Sequence, residues 1–540
     1  MTNTFREIED ANCIFVIGSN TTVAHPLVAT RIYRAKAKGA KLIVADPRRI
    51  HLARFADVYV QPRAGTNVAL INGIMHVIYK EGWYNKEFIE ERTENFEALV
   101  EVIEKYSPSL VSKITDVPEE DIVKIAEYYA RSEASSILYC MGITQHTTGV
   151  DNVKSLANLA MLCGHVGRPF TGVNPLRGQN NVQGACDVGG LPNVYPGYQA
   201  VNVPANKEKF EKAWGVSLSP NVGLTVVEMT NAVLEGKLKA LVVMGENPMV
   251  SDPNTHHVEE ALRKVELLAV IDIFPTPTTE LANVVLPGVS FAEKDGTFTN
   301  SERRVQRVRK AIEPIGEGRV EWAIFQDLAN RLGYPMNYAS SEDVFNELAS
   351  LTPSYGGISY QRLDRERDGL IWPCPTPDHP GTPILHRGQF ARGKGLFHAI
   401  EYKGPAEETD NEYPFWLTTG RTYVHYHTGT MTRRSLHLVR ELNEPYMEIH
   451  PQDAAQLGIS NGDMVRLESR RGAIETRAII TNSVKQGLIF MPFHFAEAAA
   501  NRLTNTALDP VAKIPELKVC AVRVVTLEEE TTMEAAEATA

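Results

Sequence analysis

Apolar runs that stop at a glycine or an aspartate organise the first half of this chain. Cys13 to Ile17 ends at Gly18-Ser19-Asn20, a helix-like stretch follows from about Pro26 to Lys38, and Leu42 to Ala45 ends in Asp46-Pro47-Arg48. Strand, helix and strand in that order read as a βαβ unit and imply a parallel sheet. The unit recurs: Leu241 to Met244 ends at Gly245-Glu246-Asn247, a helical stretch lies around Val258 to Val265, and Leu267 to Ile271 ends in Asp272. Asp46 follows Gly18 by 28 residues and Asp272 follows Gly245 by 27, the signature of a spaced internal repeat. Dinucleotide sites use this chemistry: a glycine lets a phosphate approach the backbone, and an acid further on accepts ribose hydroxyls. Neither copy has G-x-G-x-x-G, and a single strand-Gly-Asn turn occurs in many α/β proteins that bind no nucleotide. Two copies at matched spacing point to two nucleotide-like half-sites.

Amphipathic stretches over Asn67 to Lys80 and Glu119 to Tyr129 predict scaffold helices, the second entered by Val117-Pro118 with acids in its first turn. A strand over Ser136 to Cys140 ends in Met141-Gly142-Ile143-Thr144-Gln145, and a helix from about Asp151 to Cys163 continues the alternation. From Pro353 to Pro405 the chain is rich in Pro, Gly and aromatic residues, as in WPCPTPDHPGTP, and reads as an extended connector. Pro414 to Thr418, Met447 to Ile449, Met464 to Ser469, Ile474 to Thr481 and Leu488 to Met491 then predict short strands of a β-barrel, with turn signals such as Ser460-Asn461-Gly462-Asp463 between them. The fold class is α/β: Rossmann-like βαβ domains with parallel sheets plus a C-terminal β-barrel domain. The boundaries fall at 1–179, 180–350, a connector at 351–405, a barrel at 406–526 and an acidic tail at 527–540 with too few apolar residues to fold.

The 540 residues exceed what one hydrophobic core can organise, at roughly 100 to 200 residues per domain. With 55 Lys and Arg against 66 Asp and Glu, the net charge of -11 argues against nucleic acid as a partner. The six cysteines (Cys13, Cys140, Cys163, Cys186, Cys374, Cys520) stand singly, without a C-x-x-C pair for zinc or an iron-sulfur cluster, and read as buried reduced thiols. The first twenty residues carry acids where a signal peptide needs bases, and no apolar run reaches the roughly 18 residues that cross a bilayer. A cytoplasmic protein without membrane insertion is expected.

The most unusual stretch runs from Asn174 to Asp187, NPLRGQNNVQGACD, and packs one guanidinium, five side-chain amides and two glycines into fourteen residues. That composition suits neither a helix nor a strand interior. Arg177 could grip a small carboxylate with a bidentate fork, and the amides could meet a heteroaromatic, sulfur-rich or phosphate-bearing ligand. An amide network that caps nearby helices would use the same residues.

The run PLRGQNNVQGACDVGGLPNVYPGYQ, with MGITQHTTGVDN before it and TGRTYVHYHTGTMTRRS after it, resembles the catalytic subunit of molybdopterin formate dehydrogenases from Met1 to about Val525. The resemblance implies oxidation of formate to carbon dioxide, or the reverse, at a bis-molybdopterin guanine dinucleotide centre carrying molybdenum or tungsten. It implies that Arg177 orients formate and that Met141, Gln145 and Gln179 line the pterins. Asn20, Asp46, Arg48 and Gly65 match one guanine dinucleotide half, with Asn247, Ser251 and Asp272 in the same nucleotide-binding framework. Arg421, His425 and Lys518 match contacts to the second dinucleotide, whose phosphates need cations and donors. His425 and His427, two apart, would share a face of an extended segment. Arg433 and Arg434 could be a phosphate clamp or a solvated pair, and Lys294 and Asp295 read as turn chemistry beside a pterin-side loop. A nitrate reductase type of molybdopterin enzyme would keep the scaffold without the carboxylate fork, and a non-catalytic pterin carrier is a third reading.

The family pattern begins upstream with a four-cysteine segment for a [4Fe-4S] cluster and a selenocysteine or cysteine followed by histidine. This sequence holds neither, so no protein ligand to the metal is assigned, and Met1-Thr2-Asn3 matches an internal stretch of the family. Either a UGA codon read as a stop or a split enzyme with a separate small subunit explains that, and an iron-sulfur electron-transfer subunit or domain is the expected partner. Both explanations predict an incomplete sheet edge in the second domain and little activity from the chain alone.

Overall fold

The computed structural model describes residues 1–527; the predicted tail lies, from residue 528 on, outside the described residues. The chain forms two compact units. Met1–Leu176, Val250–His256 and the chain from Ile384 on make the first, and Arg177–Met249 with His257–Pro383 make the second.

In the first unit a five-stranded parallel sheet has the order Val58–Val60, Lys41–Ala45, Cys13–Ile17, Ser135–Tyr139, Gly172–Pro175. Every residue of Cys13–Ile17 is buried. Phe15 and Ile17 pack with Leu70, Ile74 and Tyr129 on one face, while Ile14 and Val16 pack with Val28, Ile32 and Ala35 on the other. A strand covered on both faces reads as an unbroken apolar run rather than an alternation, which is why the sequence marks it so clearly. From Cys13–Ile17 the chain adds strands first on one side and later on the other. Its C-terminal end therefore borders a topological switch point, where open α/β sheets place their ligands.

The same unit carries a closed barrel in the order Phe415–Gly420, Leu488–Pro492, Tyr446–Ile449, Gly472–Ile480, Met464–Ser469, Cys520–Thr526. The last of these closes it by pairing antiparallel with both Phe415–Gly420 and Met464–Ser469. Leu417, Met447, Val465, Leu467, Ile489 and Val522 fill its interior.

The second unit holds a three-stranded parallel sheet, with Leu267–Asp272 between Ala240–Met244 and Val284–Pro287. Val243, Leu268 and Val270 pack against Val258, Ala261 and Leu262 on one face. Elsewhere on the sheet Val242, Met244, Val284, Val285 and Leu286 are between 36% and 51% exposed, in a fold class whose sheets are ordinarily covered on both faces.

Residues 353–405, expected to be an extended connector, are packed structure. Tyr355, Ile358, Tyr360, Leu363, Leu370 and Cys374 bury against Val305 and Phe345 in the second unit. In the first unit Phe397 is fully buried, and the carbonyls of Phe397, His398 and Ile400 accept hydrogen bonds from the side-chain amides of Asn95 (2.8 Å), Asn158 (2.7 Å) and Asn72 (2.9 Å). Beyond a two-residue ladder of Gly395–Leu396 with Thr93–Glu94, side-chain amides satisfy these carbonyls, so burial here leaves no period of 2 or 3.6 in the sequence. No helix among the described residues is long and apolar enough to cross a membrane.

Candidate functional site

At the switch point of the first unit the strand ends of the sheet and the barrel residues Thr418 to Arg421, Phe490 and Lys518 line a solvent-open cleft. Seven predicted residues line it: Asn20, Asp46, Arg48, Gly65, Met141, Arg421 and Lys518. Its floor is a close approach of two glycines. Gly18, at φ +57°, donates its N–H to the Ala45 carbonyl (3.0 Å), and its own carbonyl accepts the Gly142 N–H (3.1 Å). A Cβ on Gly142 would lie 2.6 Å from that Gly18 carbonyl oxygen, and one on Gly18 2.7 Å from the Gly142 carbonyl carbon. Gly142→Ala is expected to destabilise the chain by about 1–3 kcal/mol through overpacking, read as a lowered midpoint in denaturant melts; an unchanged midpoint would mean that the two loops separate freely.

The charges around this floor are unusual. Asp46 accepts the Arg48 N–H (3.0 Å), and burial pushes its carboxyl up to about 6 against the lowering influence of that hydrogen bond and of Arg48 and Lys518. Lys518 donates to the Thr419 carbonyl (2.7 Å), has no ion-paired carboxylate among the described residues, and is pulled by burial down to about 8. Burial also lowers the Arg421 guanidinium. His146 sits 2.8 Å from the Gly142 carbonyl through Nε2, which assigns the proton to Nε2, while its buried Nδ1 has no hydrogen-bond partner among the described residues. Burial holds this imidazole at about 4, so it is a neutral acceptor. Bare backbone, buried cations and an unmet acceptor together fit a ligand with diphosphate charge and N–H donors, as a pterin dinucleotide has.

Other predicted residues have partners in the fold. Arg48, at the cleft wall, forks onto Glu448 (2.6 and 3.1 Å) and stacks 3.4 Å from the Phe490 ring centroid. His425 lies outside the cleft lining, with Nε2 on the Leu442 carbonyl (2.7 Å) and Nδ1 near the Thr432 hydroxyl (3.3 Å). The HYHTG segment is a turn rather than the extended run expected, because His427 adopts φ +50° ahead of Gly429. Gln145 caps the short helix Met141–Thr144 and lies outside the cleft lining as well. Ser251 bonds Asp252 (3.0 Å), and its carbonyl accepts the Asn501 amide (2.8 Å). Arg433 forks onto Glu497, and Lys294 pairs with Glu321 at 2.7 Å.

In the second unit the repeat is reproduced in detail. Gly245, at φ +61°, donates to the Ile271 carbonyl (2.8 Å), the carbonyl just before the strand-terminal Asp272, as Gly18 does just before Asp46. The Asn247 amide oxygen accepts the Thr278 hydroxyl (2.7 Å), and Asp272 accepts the N–H groups of Ile273 (2.6 Å) and Phe274 (3.3 Å). Arg177 donates its backbone N–H to Ser301 Oγ (3.0 Å) and its Nε–H to Gln183 Oε1 (3.3 Å), and Gln179 lies partly buried in the adjoining bend. Asn181 initiates the helix Val182–Asp187 and accepts the Thr299 N–H (2.9 Å), so part of the amide richness serves the fold.

Residues 1–331 match the family model described as molybdopterin oxidoreductase, and residues 415–521 match the molydopterin dinucleotide binding domain. The chain belongs to the molybdopterin oxidoreductase family. It is 55% identical over 528 residues to the F420-dependent formate dehydrogenase 1 subunit alpha of Methanococcus maripaludis, covering 97% of this chain and 78% of that protein. It is 41% identical to formate dehydrogenase H of Escherichia coli, over 97% of this chain and 74% of that one. Acetylene hydratase from Pelobacter acetylenicus shares the fold, with a TM-score of 0.75 at 21% identity over 97% of this chain and 78% of that chain.

For a molybdopterin oxidoreductase the cleft adds residues that the sequence did not single out. His146 and Cys140 enter it from the loop after Ser135–Tyr139, and Thr419 and Phe490 from the barrel. His146 stands next to Gln145 in a quoted motif, but a lone histidine carries no mark of its burial. Among the described residues no three His, Cys, Asp or Glu side chains are arranged to hold a metal ion.

Proposed function

We propose that the chain is a formate-oxidising catalytic polypeptide, converting formate to carbon dioxide or the reverse with a bis-molybdopterin guanine dinucleotide bearing molybdenum or tungsten. The observation that carries this reading is the 55% identity, across 97% of the chain, to a protein named as a formate dehydrogenase alpha subunit. The cleft agrees with it: a buried ammonium that, among the described residues, has no paired carboxylate, beside an imidazole Nδ1 that has no donor there, suits an anionic, N–H-bearing cofactor.

Oxidation of formate breaks one C–H bond and yields carbon dioxide, two electrons and one proton; the bound metal–dithiolene group supplies that redox chemistry. The chain's own residues bind and orient. The Arg177 guanidinium takes the formate carboxylate through its fork, with Gln179 beside it. In the cleft, Lys518 and Arg421 meet phosphates, Asp46 accepts ribose or base donors, and Gly18 and Gly142 let the ligand reach the backbone. Asn20, Arg48, Gly65 and Met141 line the same cleft, and Gln145, outside that lining, meets the pterin. Asn247, Ser251 and Asp272 belong to the nucleotide framework, and His425 to the barrel's share. The chain works in the cytoplasm with an iron-sulfur electron-transfer partner.

Elemental analysis and pterin fluorescence on one sample of the purified assembled enzyme test this reading. Two pterins per molybdenum or tungsten are expected. Pterin without metal in a sample that shows no formate turnover would overturn it in favour of a carrier.

A further inference from the structure

We propose that Gln183 and Asp187 are positioning residues that aim the Arg177 guanidinium at the substrate carboxylate. This deepens the assignment of formate to Arg177 and rests on it. The helix Val182–Asp187 places Gln183 and Asp187 four residues apart, hence on one face, and both are buried. One Gln183 Nε2–H donates to Asp187 Oδ1 (2.8 Å), and Nε2 also lies 2.9 Å from the Tyr198 hydroxyl, which itself donates to Asp187 Oδ1 (2.8 Å). Asp187 Oδ2 accepts the Tyr355 hydroxyl (2.6 Å) and Trp372 Nε1–H (2.7 Å). A carboxylate only accepts, so the amide of Gln183 must turn its nitrogen toward Asp187 and its oxygen the other way. That oxygen faces Arg177 Nε, at 3.3 Å. Asp187 thus selects one of two amide orientations, and the selected one offers the guanidinium an acceptor; the other would set two donors against each other.

A purely structural network would hold the loop without acting on substrate affinity, and the loaded, assembled enzyme separates the two. Gln183→Leu is expected to raise KM for formate about tenfold with kcat changed less than about twofold, the pattern of lost substrate binding, while metal and pterin content stay at wild-type values. Phenylglyoxal modification of Arg177, mapped by peptide mass spectrometry, should accelerate several-fold once the Nε anchor is gone. Gln183→Glu keeps an oxygen toward Arg177 and, while protonated, a donor toward Asp187. Its kcat/KM should be near wild type at acid pH and fall about tenfold as the pH rises and the new carboxyl ionises beside Asp187, a fall the wild type lacks. Asp187→Asn should reproduce Gln183→Leu, and if it does not fold the two Gln183 variants carry the test.

The double variant of Gln183→Leu in an Arg177→Ala background should show no further change with formate. A wild-type KM and modification rate in Gln183→Leu, or the same tenfold loss in the Arg177→Ala background, would overturn the relay. If Arg177→Ala alone kept full formate activity, the substrate assignment would fail instead, and the modification rate would still decide whether Gln183 holds the guanidinium.

Discussion

Replacing Arg177 with alanine in the assembled enzyme is expected to lower kcat/KM for formate by about 10²–10³-fold while metal and pterin content stay constant. The magnitude is that of removing one preorganised, charge-bearing donor from an active site. Constancy of the cofactor is expected because Arg177, bonded to Ser301 and Gln183, is not among the residues that line the nucleotide-type cleft. Arg177→Lys should recover little, because an ammonium cannot reproduce the planar fork. Steady-state kinetics with formate, beside elemental analysis of the same samples, checks both halves. Full activity in Arg177→Ala would remove the residue from the mechanism, and parallel loss of metal would recast it as a cofactor ligand.

A bell-shaped pH dependence of nucleotide binding is the second large effect, with a plateau between about 6 and about 8 set by Asp46 and Lys518. Burial raises Asp46 to about 6; ligand hydroxyl or N–H donors favour its anion and lower that value. Binding then releases a proton, so affinity climbs as pH rises toward 6 and levels off above it. Lys518 runs the opposite way. Burial lowers it to about 8, a bound phosphate raises it, binding takes up a proton, and affinity declines as pH passes 8. Titration calorimetry with guanosine diphosphate across this range is the direct measurement. Lys518→Met should weaken binding about 10- to 100-fold on the plateau, the loss of a charge-assisted hydrogen bond, and flatten the alkaline limb. Asp46→Asn should flatten the acid limb only. A flat profile in the wild type would mean that neither group meets the ligand.

Much of the cleft was legible in the residues because its framework is local. Both first strands are apolar along their whole length, and each is followed by a glycine that enters the left-handed region without steric cost, Gly18 and Gly245. The two copies of the unit therefore announce themselves, down to the aspartates at matched distance. The barrel strands Met464–Ser469 and Gly472–Ile480 show because buried positions alternate with more exposed ones, a period of two, while Leu488–Pro492 shows as an apolar run buried throughout. Arg177 stood out because so many amides in one short run fit no regular element.

Strands lacking those marks were passed over. Gly172–Pro175 carries a glycine, an asparagine and a proline, all poor strand formers, and forms only because Ser135–Tyr139 offers it an edge. Val58–Val60 is three residues long, Cys520–Thr526 lies nearly a hundred residues beyond its neighbour Phe415–Gly420, and Val284–Pro287 is exposed throughout. His425 was placed in the site by its motif, yet its two ring nitrogens face Leu442 and Thr432.

The sequence by itself determined the alternating βαβ plan, its duplication, the barrel and the arginine-bearing amide loop, because each is written in residues within one turn or one strand of another. Only the tertiary structure decided that Gly18 and Gly142 touch, that His146 and Lys518 share a cleft with Asp46, that amides strap residues 397–400 into the core, and which way the Gln183 amide turns. Those outcomes depend on contacts between segments tens to hundreds of residues apart, the Gln183 amide included, since Tyr355 and Trp372 hold the Asp187 carboxylate that turns it, and neither periodicity nor propensity reaches that far.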